Sequence, residues 1–71
     1  MKTHTFNYKR MREAREALGW SQETMIAELY AKGLQMTRAT LLSYEMGRTA
    51  PAIDDMLLIA QVLGKPLVFF L

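Results

Sequence analysis

SQETMIAELYAKGLQMTRATLLSYEMGRTAP, residues Ser21–Pro51, decides how this chain folds, because two capping residues and two glycines divide it into a pair of short helices. The Ser21 hydroxyl can accept a hydrogen bond from a free N–H of a first helical turn. Met25, Ile26 and Leu29 then recur at helical spacing until Lys32-Gly33, where glycine supplies the left-handed conformation that ends a helix. A helix is predicted from about Gln22 to Lys32. Thr37 repeats the capping chemistry, and Leu41, Tyr44 and Glu45 follow at three- and four-residue spacing until Gly47. The second helix should be about three turns long.

Two such helices joined by Leu34, Gln35 and Met36 form a helix-turn-helix candidate. In that unit the second helix lies in the major groove of duplex DNA and offers its N-terminal side chains to base edges. Arg38 and Ala39 would occupy its first turn, with Ser43 a turn further along the same side. Arginine can donate two parallel hydrogen bonds to guanine O6 and N7, and alanine can touch a thymine methyl. Arg38, Ala39 and Ser43 are the predicted base contacts. Thr37 caps the helix with its backbone or hydroxyl near phosphate, and Thr40 can serve in either way.

The resemblance to a known family rests on a longer set of residues. These are Gln22, the run Thr37-Arg38-Ala39-Thr40-Leu41, the run Tyr44-Glu45-Met46-Gly47-Arg48 with Pro51, Arg15 in the preceding helix, and Leu57, Ala60, Leu63 and Gly64 in the following one. In order and spacing they resemble the Xre/Cro/phage-repressor helix-turn-helix family over roughly Tyr8 to Gly64. The resemblance implies that Gln22, at a helix N-terminus suited to phosphate, holds the DNA backbone. It gives Arg48 the same role, beside Thr37 and Thr40. It also implies a structural salt bridge between Arg15 and Glu45 that fixes the reading helix against the first helix. Two features depart from the family pattern. The connection Tyr30–Met36 is longer than usual, as though the first helix of the pair ran one turn further with Leu34 and Met36 in the core. Leu42 stands where many members carry a small polar residue; core, a methyl contact and an interface are all open to it, with core favoured.

Composition is compatible with this reading. Seventy-one residues allow one small domain, and a chain this short buries only about 60% of its unfolded surface. The absence of cysteine excludes disulfides and cysteine-based zinc sites, which leaves a dimer as the obvious reinforcement. Net charge is only +2, but eight of the nine Lys and Arg residues lie in the first 48 positions, on the side of the expected reading helix. No run approaches the ~20 apolar residues of a membrane span, so a soluble, cytoplasmic protein is expected, without a membrane partner.

The flanking segments read as scaffold. Met11, Ala14 and Leu18 form the expected inner face of a first helix from about Tyr8 to Leu18. Pro51 opens a fourth, with Ile53, Met56, Leu57, Ala60 and Leu63 inward and Asp54 and Asp55 in the first turn, where the helix dipole favours carboxylates. Leu58 and Val62 remain on a neighbouring face, and the tail Pro66-Leu67-Val68-Phe69-Phe70-Leu71 is uncharged. Half of that tail can fold back as core. The rest suggests self-association through Leu58, Val62, Val68, Phe69, Phe70 and Leu71, by a terminal strand or a short helix, the strand favoured.

The sequence therefore predicts an all-α, four- to five-helix, lambda-repressor-like domain, with a short C-terminal strand as an option. Residues 1–7 form an arm, 8–64 the DNA-binding domain and 65–71 a segment for dimerisation or core closure. The expected function is sequence-specific regulation of transcription, as a repressor and homodimer on a palindromic operator in double-stranded DNA. An antitoxin or protein-interaction module using the apolar tail is the alternative. No catalytic constellation, cofactor or metal site is expected; His4 has no second ligand near it in sequence, Lys2, Lys9, Arg10 and Arg12 could brush phosphate but are equally explained as a solvated basic face, and Trp20 and Tyr30 read as packing at helix ends.

Overall fold

The computed structural model describes residues 6–71, so the readings on Lys2, His4 and most of the arm lie outside the described residues. Four α-helices follow one another: α1 Tyr8–Ala17, α2 Gln22–Ala31, α3 Arg38–Glu45 and α4 Ile53–Leu63, with a C-terminal 3-10 turn over Leu67–Phe70. Three of the four helices begin with a side-chain cap. Asn7 Oδ1 accepts from the Arg10 N–H at 3.3 Å, Ser21 Oγ from Thr24 at 3.1 Å and Thr37 Oγ1 from Thr40 at 3.2 Å. The fourth, α4, has no side-chain cap, but Asp54 and Asp55 fill its first turn. It starts two residues after Pro51.

Each helix buries one stripe. Met11 and Ala14 of α1, Met25 and Leu29 of α2, Leu41 of α3 and Met56, Ile59, Ala60 and Leu63 of α4 meet in one core, with Met36 from the connection. Two corrections to the expected faces follow from where helices end and turn. Leu18, the C-cap residue beyond α1, is exposed, and Arg15 takes the inward place beside Ala14. In α4, Ile53 and Leu57 are exposed while Ile59 is buried. The sequence IDDMLLIAQVL is apolar on several sides, so both stripes satisfy helical spacing and only docking chooses. Leu42 is also exposed rather than core.

α2 runs to Ala31, one residue short of the expected end, before Gly33, at φ +94°, reverses the chain. Leu34 N–H then donates to Leu29 O at 3.0 Å, leaving Leu34 half-buried and Met36 buried. α3 is shorter than expected, at eight residues.

At the C-terminus the chain forms a 3-10 turn, not the favoured strand. Its N-terminal neighbour explains why. Phe6 stacks on Phe70 with ring centroids 6.0 Å apart, and the Asn7 N–H donates to Phe70 O at 2.7 Å. Phe6, assigned by sequence to the arm, is thereby buried, and Phe70 is wholly so. Arg10 and Lys65 each lie 5.0 Å from the centre of the Phe69 ring, and Arg10 Nη1 donates to Phe69 O at 2.9 Å. The turn holds Phe70 against Phe6 in the core and leaves Phe69 beside Arg10 and Lys65.

Candidate nucleic-acid interface

α3 owes its position to a charge that its own sequence makes awkward. Glu45 is the last residue of the helix, where the dipole disfavours a carboxylate. Arg15 compensates with a two-pronged contact: Nε donates to Oε2 at 2.7 Å and Nη2 to Oε1 at 3.1 Å. A third donor, Nη1, reaches Trp20 O at 2.8 Å and ties down the turn between α1 and α2. Side-chain exposure is 10% for Arg15 and 2% for Glu45, so water screens this pair little. No buried side-chain nitrogen or oxygen among the described residues lacks a partner.

From Glu45 a polar chain runs outward to the N-terminus of α3. Gln22 Nε2 donates to Glu45 Oε1 at 3.2 Å, and Gln22 Oε1 accepts from Arg38 Nε at 3.3 Å. Arg38 Nη1 in turn donates to Glu23 Oε2 at 2.9 Å. Thus Arg15, Glu45, Gln22, Arg38 and Glu23 form one continuous path from core to surface. Both heteroatoms of the Gln22 amide are used in it, which fixes the side chain's orientation.

The other residues singled out by sequence are distributed as follows. Arg38 and Ala39 are exposed in the first turn of α3, with Thr37 exposed just before them. The Thr37 hydroxyl donates to Thr40 Oγ1 at 3.0 Å while accepting from the Thr40 N–H, so the two threonines form a closed cap and Thr40 is half-buried. Ser43 is half-buried, its Oγ 2.9 Å from Thr49 Oγ1, which links the helix to the turn that follows. Arg48 is exposed in that turn, with its N–H donating to Ser43 O at 3.0 Å. Gly47 just before it has φ +76°, and the Tyr8 ring lies against it so closely that an added Cβ would come within 2.7 Å of ring carbons. Tyr8 and Gly47 thus make a second attachment between α1 and the end of α3.

The sequence that builds this pair of capped helices, the second with an open N-terminal turn, matches a known family. A helix-turn-helix family model of the Xre/Cro/lambda-repressor-like type covers residues 11–70. The chain belongs to this helix-turn-helix family. It is accordingly a DNA-binding helix-turn-helix protein of the kind that regulates transcription. Comparison with curated proteins and with solved structures gave no match. No helix among the described residues is long and apolar enough to cross a membrane.

Among the contacts that sequence reasoning missed are Gln22 to Glu45 and to Arg38, Glu23 to Arg38, and Ser43 to Thr49. Each joins residues on different segments, and Glu23 looks in sequence like a first-turn carboxylate serving the helix dipole. Of the tail residues, Phe70 is core and Phe69 is half-buried, whereas Val68 and Leu71 are exposed; Leu58 and Val62 are half-buried. One titration is perturbed. Burial, and secondarily the negative charge of Asp55, push the Tyr44 phenol above its ordinary value of 10.0.

Proposed function

We propose that this protein is a sequence-specific repressor that reads its operator through α3 and binds as a homodimer. The observation that carries this reading is the open first turn of α3, where the exposed Arg38 and Ala39 stand on a helix clamped to α1 by the Arg15–Glu45 pair. Arg38 and Ala39 are assigned to base edges, with Ser43 as a further base contact. Gln22, Thr37, Thr40 and Arg48 are assigned to the sugar-phosphate backbone. The cytoplasm, where DNA is accessible, is the compartment this reading requires.

Pairing is assigned to Val68 and Leu71, which expose apolar surface at the C-terminus, with the half-buried Leu58, Val62 and Phe69 as its margin. Phe70 is withdrawn from that surface because it fills the protomer's own core. A palindromic operator requires such a dimer to hold two copies of α3 roughly 34 Å apart. The same exposed residues also favour a second reading, in which this chain is an antitoxin or protein-interaction module whose apolar tail covers a toxin or other partner protein. The packing of Phe70 against Phe6 weighs toward the repressor, since much of the tail is already used.

Titration of duplex DNA at several salt concentrations tests the binding mode. Affinity should fall steeply as salt rises, because each neutralised phosphate releases counterions; affinity indifferent to salt would refute it. Arg38→Ala should relax preference at one base position per half-site, whereas Arg48→Ala should weaken all sequences alike. Sedimentation of the free chain separates the two readings of the tail: a dimer supports the repressor, an aggregating monomer the missing partner.

A further inference from the structure

Glu23 is the outermost member of the polar path, and it meets the one guanidinium that opens α3. A carboxylate in the first turn of α2 is accounted for by the helix dipole alone. That account leaves unexplained why it is joined to Arg38, fifteen residues away, at 2.9 Å. Arg38 is held from two sides, by Gln22 on Nε and by Glu23 on Nη1. A guanidinium carries five N–H donors, and among the described residues Arg38 Nη2 has no hydrogen-bond partner. The side chain is therefore oriented in advance and still able to donate. Pre-ordering lowers the entropy lost when a long side chain is immobilised on a ligand.

Charge adds a second effect. An arginine free of carboxylates binds any phosphate, since the attraction is independent of sequence. Beside Glu23 the pair is neutral, and a phosphate must approach an anion to reach Arg38. Guanine O6 and N7 are uncharged acceptors that free donors can satisfy without displacing the carboxylate. Glu23 therefore weakens the nonspecific contact more than the specific one.

Taking duplex DNA as the ligand of α3, we infer that Glu23 is a positioning residue that sets selectivity, by holding and neutralising Arg38 so that it prefers a base edge to phosphate. Exposure of both side chains, 67% for Arg38 and 66% for Glu23, means that the pair can be altered without disturbing the core.

The experiment compares the wild type, Glu23→Gln, Arg38→Ala and the double variant. Each is titrated over a salt series with random-sequence duplex and with duplexes that the wild type selects from a random library. Glu23→Gln should bind random duplex about 3–10-fold more tightly, with a salt slope steeper by roughly one unit. Its gain on selected duplexes should be smaller, so that the ratio of the two affinities falls. In the Arg38→Ala background the gain on random duplex should shrink to less than about twofold, because Glu23 then has no guanidinium to restrain. Glu23→Gln that matches the wild type in affinity and slope would overturn the assignment while leaving the DNA-binding reading intact. An equal gain with and without Arg38 would also overturn it, since Glu23 would then act on DNA directly. A wild type with no salt-dependent binding to any duplex removes both.

Discussion

Two arginine–glutamate pairs lie at opposite ends of one polar path, with closest N–O distances of 2.7 Å for Arg15–Glu45 and 2.9 Å for Arg38–Glu23. Their surroundings differ far more than their geometry. The inner pair is forked, nearly dry and buttressed by Trp20 O and Gln22, whereas the outer pair stands in water. In the first, removing one partner strands a charge; in the second, solvent takes its place. The same chemistry therefore serves as a fixed joint at one end and an adjustable contact at the other. For a helix that must meet DNA, that division keeps the position of α3 constant while its tip stays exposed to a ligand.

Truncation should break this comparison most strongly. Glu45→Ala should cost about 3–5 kcal/mol, because the Arg15 guanidinium is left buried and unpaired. For a small domain that much loss can prevent folding, so urea titrations should include the double variant Arg15→Met/Glu45→Leu. Apolar replacement of both partners should recover most of the stability. The matching change at the outer pair, Glu23→Ala, should alter the unfolding free energy by no more than about 1 kcal/mol. Equal losses at the two pairs would erase the distinction between joint and contact.

An effect smaller than that of Glu45→Ala is expected at the other attachment between α1 and α3. Gly47→Ala places a Cβ at positive φ and against the Tyr8 ring, and should cost more than about 1 kcal/mol. Adding Tyr8→Ala should relieve the collision but not the backbone strain, so that only part of the loss returns in thermal melts. Complete recovery would mean that the positive φ is unimportant.

The smallest effect concerns Tyr44, which shares α3 with Glu45. Its folded pKa is raised, so the folded chain holds the phenolic proton more tightly than the unfolded chain does. Stability from this source is intact below about pH 10 and declines as pH rises through that value toward the folded pKa. Comparing urea midpoints of the wild type and Tyr44→Phe through this range isolates it; the variant should lose less stability on the alkaline side.

Much of this was legible from local patterns. Ser21 and Thr37 mark helix starts, Gly33 and Gly47 mark stops, and these depend on backbone chemistry within a few residues. The positions of Arg38 and Ala39 in the first turn of α3 follow from them. The favoured strand for the tail failed because a run such as LVFF is apolar enough for a strand or a turn, and its conformation depends on Phe6, more than sixty positions away. The core stripe of α4 failed similarly, since Ile53 and Leu57 are exposed and Ile59 buried according to how α4 docks on α2 and the C-terminal turn.

By itself the sequence determined the helix order, the caps and the family, because these rest on local hydrogen bonding and periodic burial. Tertiary structure alone decided that Gln22 would join Glu45 to Arg38, that Glu23 would face the same guanidinium, and that Phe70 would close the core. Those outcomes depend on side chains from distant segments arriving within about 3 Å of one another or packing face to face. Such distances are set by how α1, α2 and α3 dock, which no single stretch of the chain encodes.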